Sequence, residues 1–184
     1  MSKPLICILG VSGSGKTSLV NKVSKKYGYT VLKSYTTRPV REDDDADLSS
    51  HTFITLKEAD LIANTQTIIA KNWFDDNLYF ATEEQLMVSD LYVTDVEGLR
   101  CLKHKFKGKK PIMSIFLDVP PEIVAQRMER RGDSNEDIMR RLQHDKKAFE
   151  DAAEECMCIC DNSTQDKCNE ICEFIDMLLR FYKG

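Results

Sequence analysis

The chain reads as an α/β protein with a central parallel sheet, and three observations predict it. Short apolar runs of strand length alternate with stretches of helical periodicity at both ends of the sequence. A cluster of short strands lies between these two α/β halves, at the position of an inserted lobe. The chain has 184 residues, 42% of them hydrophobic, enough for one domain with a substantial core.

Leu5-Ile6-Cys7-Ile8-Leu9 predicts a buried first strand, and Ser18-Leu19-Val20-Asn21-Lys22-Val23 begins an amphipathic helix that ends near Tyr27-Gly28. Tyr29–Leu32 follows as a second strand. Ser34–Arg41 is polar and contains Pro39, which disfavours a continuing strand or helix. Glu42–Asp47 is an acidic run without apolar period and predicts a solvated loop. Thr52–Thr55 alternates as a strand does, Leu56–Asn64 predicts a short helix, and Thr67–Ala70 and Leu78–Thr82 predict strands joined by a turn at Asp75-Asp76-Asn77.

The α/β rhythm then returns. Asp90–Asp95 predicts a strand, Gly98–Lys107 a basic helix, and Ile112–Val119 a buried strand. Pro120-Pro121 opens a helix, since proline suits a first helical turn. Gly132–Asn135 breaks it, and one long helix is expected over Glu136–Glu155. Cys156–Cys160 predicts a last strand. Gln165–Tyr182 predicts a closing helix with Ile171, Phe174, Ile175, Leu178 and Leu179 on one face.

Between the first strand and helix stands Gly10-Val11-Ser12-Gly13-Ser14-Gly15-Lys16-Thr17, which satisfies G-x-x-x-x-G-K-[ST] at every fixed position. Strand, glycine-rich turn and helix together are the setting of a phosphate-binding loop. Its amides and the helix N-terminus favour a polyphosphate. Gly10, Ser12, Gly13, Ser14, Gly15, Lys16, Thr17 and Ser18 are therefore candidate ATP-binding residues, with Lys16 on the β- and γ-phosphates and the Thr17 hydroxyl on Mg²⁺. The expected fold is thus a P-loop NTPase three-layer α/β fold: a core of residues 1–33 and 90–184, an inserted lobe at about 34–89, and a short lid at about 127–141.

Arg38 and Arg41 lie three apart beside several hydroxyls, and guanidinium forks match phosphate oxygens. An exposed basic loop would read the same way. Arg127 and Arg131 share a helix face, which suits either a phosphate clamp or a salt-bridged surface. Asp95 closes an apolar strand, where ligands of parallel sheets gather.

A net charge of −4 argues against a general nucleic-acid binder. No apolar stretch approaches membrane-spanning length, and the run after Lys3 is too short for a leader. Seven cysteines without a leader predict reduced thiols and a cytoplasmic protein. Cys156, Cys158 and Cys160 at period two, with Cys168 and Cys172 one helical turn apart, lack the paired spacing of zinc knuckles and read as small hydrophobes.

The P-loop, Ser34-Tyr35-Thr36-Thr37-Arg38-Pro39 with Arg41, Asp95-Val96-Glu97-Gly98 and the Arg127…Arg131-Gly132…Arg141 pattern together resemble the guanylate kinase family over nearly the whole chain. The resemblance implies Mg²⁺- and ATP-dependent phosphorylation of a nucleoside monophosphate, GMP or dGMP. Small nucleotides would be the partners of a monomer or homodimer, with no nucleic acid and no membrane. It implies that Ser34, Arg38 and Arg41 hold the acceptor phosphate, that Thr82 touches the base, and that Asp95 reads guanine's N–H donors. Arg127, Arg131 and Arg141 become lid arginines, and Lys16, Arg38, Arg131 and Arg141 the catalytic set.

The sequence departs from the family at several places. His51 and Phe80 stand where tyrosines are expected to donate to the acceptor phosphate, and a guanine-reading glutamate is absent near Lys71-Asn72. Val93 replaces an upstream aspartate, which leaves Asp95 with two possible jobs, reading the base or supporting Mg²⁺. A ribose 1,5-bisphosphate acceptor is the alternative within the family. A non-catalytic module is the alternative outside catalysis, against which Lys16 and Thr17 both stand.

Overall fold

The computed structural model describes residues 2–40 and 50–182. Five strands, β1 (Leu5–Leu9), β2 (Val31–Leu32), β7 (Leu91–Val93), β8 (Ile112–Asp118) and β9 (Cys158–Asp161), form a sheet in the order β2-β7-β1-β8-β9, every pairing parallel. The central strand β1 is buried on both faces, which is why its sequence is an unbroken apolar run.

Alternation along β1 divides the core in two. Leu5, Cys7 and Leu9 pack on Tyr92 and on Leu99 and Leu102 of α4 (Val96–Lys105). Ile6 and Ile8 face the opposite way, onto Leu19, Val20 and Val23 of α1 (Lys16–Tyr27) and Ile171, Ile175 and Leu179 of α8 (Gln165–Phe181). A sheet covered on both faces gives the three layers the alternating pattern requires.

The second sheet has the order β4-β3-β6-β5, from β3 (Ser34–Thr36), β4 (His51–Phe53), β5 (Ile68–Phe74) and β6 (Asn77–Thr82), with α2 (Leu56–Thr65) packed beside it. The turn between β5 and β6 is two residues, Asp75 and Asp76, with φ of 53° and 59°. A tight hairpin needs positive φ at both central positions, and aspartate tolerates it. The short α3 (Glu83–Val88), capped by Thr82, has no counterpart in the pattern expected from sequence.

Three further boundaries differ from expectation. Ser34–Thr36 is a strand rather than a loop, because the Pro39 constraint acts only beyond it. The helix expected over Glu136–Glu155 is two, α6 (Asn135–Ala148) and α7 (Ala152–Glu155), after α5 (Pro121–Arg130). Strand β9 begins at Cys158, so Cys156 packs in the α4-side core while Cys158 and Cys160 pack in the other. All seven cysteines are free, and among the described residues no group of three or more potential ligands could hold a metal ion. No helix of the described residues is long and apolar enough to cross a membrane.

Candidate active site

The P-loop leaves the carboxyl end of β1 and enters α1 through Gly15, which has φ +90°. A Cβ there would lie 2.8 Å from Asn162 Nδ2, so both conformation and space call for glycine. Gly15→Ala is expected to cost about 1–2 kcal/mol from the left-handed backbone alone. Thermal melting would show this as a fall of roughly 2–8 °C, and ATP binding is expected to weaken because the amides beside it are displaced.

The loop is held from outside. Asn162 Nδ2 donates to Ser14 O (2.7 Å), and Arg127 donates to Asn162 O (2.8 Å), Ser163 O (3.1 Å) and Ser14 O (3.3 Å). Arg127 thus lines the site with its fork spent on backbone carbonyls, which gives it a bracing role beside the one expected of it. The Asp145 carboxylate of α6 accepts from the Ser12 amide at 2.6 Å. Lys16 Nζ donates to Gly10 O (2.6 Å) and Val11 O (2.8 Å). Burial pushes the Lys16 ammonium down to about 8, a shift opposed by Asp145 and Asp95 and reinforced by Arg131 and Arg141.

Two cavities open from this loop and share Ser12, Lys16, His51, Tyr79 and Val93 in their walls. One, of about 480 Å³, is lined by Gly13, Gly15, Thr17 and Ser18 together with Lys16, Arg38, Arg127, Arg131 and Arg141. No carboxylate is among its described walls, so the site is built for an anion of high charge. Arg141 Nε is buried in this wall without a hydrogen-bond partner among the described residues. Such an orphaned donor fits a polyphosphate that would satisfy it. The Thr17 hydroxyl in the same wall is a fitting ligand for a Mg²⁺ accompanying it.

The other cavity, of about 500 Å³, is bounded by Trp73, Phe74, Tyr92 and Phe149, with Asp95, Asn72 and Ser34 as polar groups. Asp95 begins α4 as its N-cap: Oδ1 accepts from the Gly98 amide (2.7 Å), and Oδ2 accepts from Asn72 Nδ2 (2.6 Å). Asp95 therefore faces this cavity with its orientation fixed from two sides. At the mouth shared by the cavities, Ser34 Oγ and His51 Nδ1 are 2.8 Å apart, and Arg38 Nε donates to the Tyr79 hydroxyl (3.0 Å).

Most of the residues singled out in the sequence converge on these walls, but the buried Ser14 side chain, Phe80 and Thr82 do not. Phe80 is 1% exposed in the core of the second sheet and carries no polar group. Thr82 is fully buried and caps α3. The phenol at the cavity mouth belongs to Tyr79, one residue earlier and on the opposite face of β6. Arg41 lies outside the described residues. Tyr79, Asn72 and Asp145 were missed. A signal existed for Asp145: with Ile138 and Leu142 it follows the 4,3 spacing of the apolar stripe on α6, where a carboxylate is out of place.

A phosphate-cradling loop at the carboxyl end of a parallel sheet, opening onto a second cavity closed by an inserted sheet, defines a P-loop phosphotransferase of the α/β class. Comparisons with known proteins agree. A family model described as an AAA domain matches residues 6–155. The ribose 1,5-bisphosphate phosphokinase PhnN of Enterobacter lignolyticus (strain SCF1) is 30% identical over 155 residues, covering 78% of this chain and 77% of that protein. The PhnN of Rhizobium etli (strain CIAT 652) is 24% identical over 142 residues, covering 75% and 72%. Among solved structures, the guanylate kinase of Anaplasma phagocytophilum superposes with a TM-score of 0.68 at 19% identity, over 98% of this chain and 86% of that one. The chain belongs to the guanylate-kinase-like P-loop kinases.

Proposed function

We propose that the chain transfers the γ-phosphoryl of ATP to the phosphate of a nucleoside monophosphate, with GMP or dGMP as acceptor. The observation that carries this reading is the pair of adjoining cavities: one rich in arginine and without a carboxylate among its described walls, and an aromatic one holding a fixed carboxylate, with Lys16 between them.

The P-loop amides grip the donor's polyphosphate. Arg38, Tyr79 and His51 present the acceptor phosphate, with Ser34 orienting His51. Arg131, Arg141 and Lys16 neutralise charge on the migrating phosphoryl. When bound, Mg²⁺ held by Thr17 would supply further charge neutralisation. The acceptor oxygen is already anionic, so no general base is needed. Asp95, Asn72 and the aromatic walls suit a base that offers N–H donors to a carboxylate and flat faces to rings.

A second reading, ribose 1,5-bisphosphate as acceptor, is favoured by the names of the two relatives. It needs a further anion subsite in the aromatic cavity. Lys71 and Lys147 in its wall are the cations such a subsite would use, since Arg100 is already engaged by Glu97 (2.8 Å), Glu155 (2.9 Å) and Asp151 (3.1 Å). The fixed Asp95 carboxylate and the aromatic walls favour the nucleotide. An ADP-release assay over GMP, dGMP, AMP, CMP, UMP and ribose 1,5-bisphosphate decides. A guanine nucleotide is expected to have the highest kcat/KM. A higher value for ribose 1,5-bisphosphate overturns the acceptor assignment.

A further inference from the structure

Asp145 is unlike the other acidic residues of α6. Its side chain is 7% exposed, and one oxygen, Oδ2, accepts from the Ser12 amide of the P-loop across 133 residues of sequence. The other, Oδ1, lies 3.1 Å from His144 Nδ1. Burying a carboxylate is costly unless its oxygens are engaged, and both are. The G-x-x-x-x-G-K-[ST] motif itself contains no such partner.

The same helix turns reach the second sheet. The His144 ring meets Phe74 edge-on with centroids 4.7 Å apart, and Arg140 pairs with Asp75 at 2.9 Å. Both partners sit at the tip of the β5–β6 hairpin. Arg141, whose Nε is buried in the anion cavity, lies four residues before Asp145 and so one turn away on the same helix. One helix therefore touches the donor loop, the acceptor-side hairpin and the phosphate cavity.

We infer that Asp145 is a positioning residue for phosphoryl transfer, clamping the P-loop at Ser12 to the helix that carries Arg141 and meets the acceptor-side hairpin. This rests on the kinase reading, and it adds a residue that no motif contains. In-line transfer tolerates little misplacement, so a loop free to slide against α6 would lose rate more than affinity. The Asp145 charge also lies close to where the donor's phosphates bind, so removing it takes away a repulsion that offsets its support of the Lys16 ammonium.

The test compares the full chain with Asp145→Ala and Asp145→Asn, the second of which keeps an oxygen able to accept from Ser12. Expected for Asp145→Ala is a fall in kcat of about tenfold to a hundredfold, with Mg²⁺-ATP affinity by calorimetry equal to or tighter than the parent's. Asp145→Asn is expected to recover most of kcat. Ser12 amide hydrogen exchange is expected to quicken in Asp145→Ala and to return toward the parent rate in Asp145→Asn. Unchanged kcat in Asp145→Ala overturns the inference, as does equal Ser12 exchange in all three proteins. Parallel loss of melting temperature, ATP affinity and kcat in both variants marks a merely structural carboxylate and overturns it too. If the parent phosphorylates no acceptor while the exchange pattern holds, the kinase reading alone fails and the clamp stands.

Discussion

Lys16→Ala is expected to lower kcat by about a thousandfold or more while the protein stays folded. The ammonium stands at the junction of the two cavities, so it is placed to meet charge as it develops between donor and acceptor. Its removal leaves Gly10 O and Val11 O to water at a partly accessible site, a modest structural change. Burial disfavours the charged ammonium, so alanine also relieves a cost in the folded state. Single-turnover transfer with saturating Mg²⁺-ATP, beside thermal melting, checks both halves. Turnover near that of the parent would remove Lys16 from the mechanism.

Arg141→Ala has the second largest expected effect, a fall in kcat of about a hundredfold to a thousandfold with the melting temperature unchanged or raised. The two signs have one origin. Arg141 Nε is buried without a partner among the described residues, in a cavity it shares with Lys16, Arg38, Arg127 and Arg131. Like charges gathered in one cavity repel, and an unsatisfied donor carries its desolvation cost. The native state therefore bears a local penalty that a transferring phosphoryl would relieve. Arg141→Lys restores charge without the planar fork and is expected to recover only part of the rate. Melting curves and kcat for the three proteins test the opposition. A lower melting temperature with unchanged kcat would make Arg141 a structural residue.

The donor half of the site was legible because its chemistry is local. A G-x-x-x-x-G-K-T run fixes backbone conformation, helix start and ammonium within eight consecutive residues. The acceptor half depends on pairing between distant strands, and there a shift of one residue changes everything. Phe80 and Thr82 share one face of β6 and turn into the protein, whereas Tyr79 faces the cavity. Linear matching set Phe80, which cannot donate, at the family's tyrosine position. The β3–β6 register, with Tyr35 opposite Phe80 and Thr36 opposite Tyr79, turns the Tyr79 side chain to the cavity and that of Phe80 to the core. Asp95 was found in sequence as a strand-end acid, but its bond from Asn72 joins residues 23 apart on α4 and β5. No spacing rule contains that pair.

By itself the sequence determined the alternation of strands and helices, the buried central strand, the phosphate loop and the concentration of arginine around residues 127–141. These follow from periodicities of two and 3.6 and from glycine's freedom at positive φ, all properties of neighbouring residues. Tertiary structure alone decided which face of β6 meets the cavity, that Arg127 spends its fork on the carbonyls of Ser14, Asn162 and Ser163, and that a carboxylate on α6 grips Ser12. Those outcomes depend on distances between groups up to 133 residues apart, which only the packing of the two sheets and the helices against them can set.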